Sequence, residues 1–109
     1  MTPYIFPGTE KIIIKDTHIE KIKWVVADHC KISIFDYDKK SRLPKYVKAR
    51  QIAHFFSRLL TDLSTTQIGQ SIGNKDHSTI IHSIKTVNNL RSVDKCYDAE
   101  IKEIERRLL

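Results

Sequence analysis

Ser64-Thr-Thr-Gln-Ile-Gly-Gln-Ser-Ile-Gly-Asn-Lys-Asp-His-Ser-Thr-Ile-Ile-His-Ser-Ile-Lys-Thr-Val-Asn-Asn-Leu90 holds two helix starts with a helix stop between them. Ser64 and Gln67 form a capping box, in which side chains satisfy N–H groups that a helix start leaves unpaired. Gly73 and Asn74 tolerate left-handed backbone and end the helix that Ser64 opens. Asp76 is a good cap for a second helix, with Ile80, Ile81, Ile84, Val87 and Leu90 at the spacing of a buried face. A short capped helix, a turn containing Gly73 and a longer capped helix outline a helix-turn-helix. In such motifs the first helix crosses a duplex backbone, and the N-terminal residues of the second reach the major groove. Here those residues are Lys75, Asp76, His77, Ser78 and Thr79. Their short hydrogen-bonding side chains suit base edges, and the Thr79 methyl suits a thymine methyl. Helix capping alone is the competing explanation for the same residues.

Outward from this stretch the pattern stays helical. Upstream, Ile52, Phe55, Phe56, Leu59 and Leu60 mark the apolar face of a helix expected over residues 46–61. Residues 38–45 read as a polar basic loop ended by Pro44, which is expected to break any helix there. Ile32, Ile34 and Phe35 are expected to form a short turn packed on the core. Thr17 and Glu20 form another capping box, opening a helix over about 18–30 with Ile19, Ile22, Val25 and Val26 inward. The first 16 residues, with two prolines and a glycine before the Ile12–Ile14 run, read as an extended arm with a short strand. Downstream, Asp94 can cap a last helix with Tyr97, Ile101, Ile104 and Leu108 inward. The expected fold is all-α, a compact helical domain over 17–109 with a helix-turn-helix and an extended N-terminal arm over 1–16.

The composition agrees. A chain of 109 residues with 40% hydrophobic and 29% charged residues suits one folded domain. Only 3 glycines and 3 prolines disfavour low-complexity and many-turned all-β chains. No apolar run reaches the roughly 18 residues of a spanning helix. Residues 1–16 lack the charged-then-apolar pattern of a signal peptide. Cys30 and Cys96 make no CxxC pair, so the expectation is a reduced, cytoplasmic protein.

The net charge of +6 is concentrated. Residues 39–61 carry 7 basic side chains, Lys39, Lys40, Arg42, Lys45, Lys48, Arg50 and Arg58, and no acidic one. Residues 1–38 hold 5 basic and 6 acidic side chains, and residues 62–109 hold 7 of each. A merely solvated face mixes signs, so a cation run without acids points to a polyanion.

Other functions fit less well. His77 and His82 are five apart, off the spacing that puts two metal ligands on one helix face. His54, Ser57 and Asp62 are too generic to suggest catalysis, so no enzyme is expected. The basic helix could lie on anionic lipid, yet its paired phenylalanines are better used in a core. The arm could add a strand to a protein partner.

The run Ile68-Gly-Gln-Ser-Ile-Gly-Asn-Lys-Asp-His-Ser-Thr-Ile-Ile-His-Ser-Ile-Lys85 resembles the signature of the C-terminal DNA-binding domain of DnaA, the bacterial replication initiator. The resemblance extends through Ala49-Arg-Gln-Ile-Ala53 and Leu60-Thr-Asp-Leu-Ser64 and covers residues 17–109, leaving the arm outside. It implies base reading in the major groove by Asp76, His77, Ser78 and Thr79, and insertion of Arg42 into the adjacent minor groove. It also implies phosphate contacts for Lys48, Arg50, Arg58 and Lys75, to which Lys45 is added from the same cation run.

Four positions depart from the family pattern. Ser78 stands where threonine is usual, Thr65-Thr66 where Leu-Pro is common, and Pro44 where a second loop arginine is common. A full initiator also carries an ATPase domain, and no G-x-x-x-x-G-K-[ST] run occurs here, so no nucleotide or other cofactor is expected. The expected function is sequence-specific binding of double-stranded DNA at DnaA-box-like sites, in replication initiation or its regulation. The partner is duplex DNA with no membrane, and a stand-alone copy could compete with the full-length initiator. The expected location is the nucleoid, for a bacterial or phage-encoded chain. A transcriptional regulator, or an interaction module using its arm, is the alternative.

Overall fold

The computed structural model describes residues 18–109, together with the backbone of residues 3–5 and 12–14. Two short strands, β1 (Pro3–Ile5) and β2 (Ile12–Ile14), pair antiparallel with Tyr4 opposite Ile13. The short strand expected in the arm therefore has a partner within the arm. Helices α1 (Ile19–Cys30), α2 (Pro44–Leu60), α3 (Thr65–Ser71), α4 (His77–Val93) and α5 (Lys95–Leu108) follow, with a 3-10 turn at Ile34–Asp38 between α1 and α2. The all-α expectation holds. Among the described residues no helix is long and apolar enough to cross a membrane.

The core forms where the apolar faces of α1, α2, α4 and α5 meet. Ile22 and Val26 of α1, Ile52, Phe56 and Leu60 of α2, Ile80 and Val87 of α4, and Ile101 and Ile104 of α5 are fully buried. Burying one such side chain contributes on the order of 2 kcal/mol. Phe55 meets Phe56 edge to face at 5.1 Å, so both phenylalanines are core residues. The expected inward residues of α5, Tyr97, Ile101, Ile104 and Leu108, are all buried.

Three local expectations change. The cap of α1 is His18, whose Nδ1 accepts from the Glu20 N–H at 3.3 Å; Thr17, the expected cap, lies outside the described residues. Pro44 starts a helix instead of breaking one. It is the first residue of α2, where a missing N–H costs nothing and the fixed φ already suits a helix. Phe35 is 83% exposed. Tyr37 takes the inward place in the 3-10 turn and donates its hydroxyl to the Lys23 carbonyl at 2.7 Å.

Candidate nucleic-acid interface

The turn between α3 and α4 is tightly packed. Ser64 accepts from the Gln67 N–H, and Gln67 Oε1 accepts from the Ser64 N–H, completing the expected capping box. Gly73 and Asn74 both have positive φ, 79° and 50°. The Lys75 N–H donates to the Gly69 carbonyl at 2.8 Å. A Cβ on Gly69 would lie 2.0 Å from the Lys75 carbonyl oxygen, so only glycine lets α3 and the turn approach this closely.

A buried histidine fixes the turn from behind. His54 of α2 bonds the Ile72 carbonyl through Nε2 and the Ser83 hydroxyl through Nδ1, each at 3.0 Å. Nε2 meets a carbonyl, which only accepts, so Nε2 carries the proton and Nδ1 accepts from Ser83. Burial pushes the His54 pKa down to about 4, keeping the ring neutral. One side chain thus ties α2 to the turn and to α4. Its side-chain partner is Ser83; Ser57 is buried and Asp62 is exposed.

The N-terminus of α4 lies at the surface. Asp76 accepts from the Thr79 N–H at 2.9 Å, and that bond holds its carboxyl below the usual carboxylate range. His77 and Ser78 are exposed and Thr79 is half-buried. Two grooves flank this end. One is lined by Lys40, Ser41, Arg42, Lys75, Thr79 and His82, the other by Arg58, Ser64, Thr65, Gln67, His77 and Lys85, among others. The grooves also take in His82 and Lys85, one and two turns further along α4, to which the sequence reading assigns no role. Counting from Ser78 at helical spacing reaches both, and that periodicity was the available signal.

The expected base-contacting residues therefore cluster. Asp76, His77, Ser78 and Thr79 share the α4 start, and Arg42, exposed on its loop, lines the same groove as Thr79. Lys75 lines that same groove, and Arg58 lines the second. Lys45 is exposed with its ammonium 4.9 Å from the Tyr46 ring centre.

Two expected phosphate contacts are placed differently. Arg50 is buried at 8% exposure and donates to the Lys39 carbonyl at 3.1 Å and the Ser41 carbonyl at 2.7 Å. Its fork serves as the clamp of the basic loop instead of facing outward. Lys48 turns toward α5, 2.5 Å from a Glu100 carboxylate oxygen. In sequence both read as members of one cation run; in the fold Lys48 turns away to α5, while Arg50 stays at the loop's groove with its guanidinium engaged by the loop.

The short first helix, close turn, capped second helix and adjoining basic loop define a helix-turn-helix domain. Sequence comparison makes this specific. The family model described as "Bacterial dnaA protein helix-turn-helix" matches residues 19–87, and the chain belongs to that family. It is 44% identical to the chromosomal replication initiator protein DnaA of Bacteroides thetaiotaomicron over 108 residues, 99% of this chain and 23% of that protein. The DnaA of Flavobacterium psychrophilum is 35% identical over 90% of the chain and 20% of its own length. That of Geotalea uraniireducens is 43% identical over 86% of the chain and 20% of its own length. The chain thus spans about a fifth of the relatives it matches. The Bacteroides thetaiotaomicron match also takes in the arm, correcting the expectation that the likeness begins at residue 17.

Proposed function

We propose that this domain binds double-stranded DNA sequence-specifically, at DnaA-box-like sites, in replication initiation or its regulation. The start of α4 lies in the major groove, where His77, Ser78 and Thr79 meet base edges and Asp76 both caps the helix and faces a base. Arg42 reaches the adjacent minor groove from its loop. Lys45, Arg58 and Lys75 hold phosphates, while Arg50 acts through the loop it clamps. The observation that carries this reading is the groove shared by the acid-free loop and the α4 start, lined by Arg42 from the first and Thr79 from the second. These are two separate features of the sequence, and one duplex accounts for both. Membership of the DnaA helix-turn-helix family supports it.

Phosphate contacts position a protein without specifying a sequence, whereas base contacts specify. Arg58→Ala is therefore expected to weaken binding to a DnaA-box-like duplex and to a scrambled one by similar factors. Thr79→Ala should cost about 1 to 3 kcal/mol on the specific duplex and little on the scrambled one. Lys48→Ala, ion-paired away from the groove, should change neither by more than about twofold. Equal behaviour of the Arg58 and Thr79 variants would refute the division of roles.

A further inference from the structure

His77 is the first residue of α4 and Thr65 the first residue of α3. Their side chains meet across the turn, with Thr65 Oγ1 2.5 Å from His77 Nδ1. Neither group is needed by the caps beside it. Ser64 and Gln67 complete the α3 capping box, and Asp76 caps α4 through the Thr79 N–H. The contact therefore does nothing that the helix ends require. It acts on an exposed imidazole at the start of the helix that we infer meets base edges.

We propose that Thr65 is a positioning residue for DNA reading, which fixes both the direction and the tautomer of the His77 ring. The proposal rests on the duplex-binding reading above. The direction of the bond made by Nδ1 decides which ring nitrogen carries the proton, and so what the other nitrogen presents. A hydroxyl can donate or accept; in the proposed arrangement the Thr65 hydroxyl donates to Nδ1, which puts the ring proton on Nε2. His77 thus presents an N–H donor at the end of α4. In the major groove such a donor fits the acceptors of the base edges: purine N7, guanine O6 and thymine O4. It mismatches the amino groups of adenine and cytosine, which are donors. The opposite tautomer would invert that preference. A freely turning ring would offer either nitrogen and discriminate less.

Position 65 therefore contributes to specificity without touching DNA. Thr65→Val keeps the shape of the side chain and removes the hydroxyl, whereas Thr65→Ser keeps the hydroxyl. Nitrogen NMR of the His77 ring in the free protein, assigned with His77→Gln and recorded at alkaline pH, reads the tautomer directly. Affinities for a DnaA-box-like duplex and a scrambled one read its consequence. The wild type and Thr65→Ser should show the Nε2–H tautomer, and Thr65→Val a mixture of the two. Thr65→Val should lose about fivefold on the specific duplex, the scale of one hydrogen bond, with scrambled binding unchanged and Thr65→Ser close to wild type. A wild-type ring protonated on Nδ1 would overturn the proposal, and so would identical ring spectra in wild type and Thr65→Val or equal losses on both duplexes. The spectra need no DNA. A wild type that does not distinguish the two duplexes therefore refutes the duplex-binding reading separately, while the ring spectra still decide whether Thr65 sets the tautomer.

Discussion

Arg42 and Arg50 belong to one cation run, yet one is exposed and the other is buried at 8% exposure. Arg50 spends its planar fork on two backbone carbonyls that no lysine would span as well. Arg42 is left at the end of the loop that this clamp holds. Narrow A·T-rich minor grooves concentrate negative potential, and guanidinium sheds water more readily than ammonium. Arg42→Lys is therefore expected to lose affinity selectively for sites flanked by A·T pairs. Binding measured on A·T- and G·C-flanked duplexes checks this, and equal losses would return Arg42 to the general phosphate-binding set. His54 gives the second prediction at this scale. Its folded ring takes a proton only near pH 4, against the ordinary 6.5 in an unfolded chain. Below pH 6.5 the unfolded chain binds more protons, so this group's stabilisation is full above 6.5 and is lost as pH falls toward 4. The full loss is roughly 3 kcal/mol. Urea denaturation of the wild type and His54→Gln between pH 7 and 4 should show the extra slope in the wild type alone. Parallel curves would mean that His54 is protonated in the fold or partnered differently.

At the scale of elements, the helix-turn-helix depends on one close approach. Adding a methyl group to Gly69 would place it against the Lys75 carbonyl, which is backbone and cannot swing away. Gly69→Ala is expected to destabilise the domain by about 3 kcal/mol and to weaken specific DNA binding along with it. Thermal unfolding and a duplex titration check both; an unchanged melting temperature would contradict the packing. The helices were legible because each has a local signal. Ser64, Asp76 and Asp94 cap as their side chains predict, and the apolar spacing of α2, α4 and α5 marks the buried faces. What failed depended on tertiary context. Pro44 fits both a helix break and a helix start, and only the chain's path after Leu43 decides between them. Phe35 and Tyr37 compete for one inward position in a 3-10 turn too short to have a strong period. Charge counting grouped Lys48 with the loop cations because it cannot see that α5 supplies Glu100. The Thr65–His77 contact spans twelve residues with no spacing rule behind it.

Across the whole molecule, charge is divided between two regions. The acids of the last third lie largely on α5, where Asp98 engages Arg91 at 2.6 Å and Glu100 engages Lys48. Arg107 of α5 reaches Asp28 of α1 at 2.7 Å. The grooves beside the α4 start are lined by Lys40, Arg42, Arg50 and Lys75 in one and by Arg58 and Lys85 with Asp62 in the other, so cations outnumber acids on this face. Such a face attracts any duplex, and attraction alone does not make a reader of sequence. The central claim is that the α4 start and Arg42 read bases. It is tested most directly by titrating the protein at one fixed salt concentration against a duplex with a DnaA-box-like site and a scrambled duplex of equal length and composition. The account predicts binding to the first that is tighter by a factor on the order of 10³. Equal affinity for the two would contradict it and leave the domain a non-specific polyanion binder.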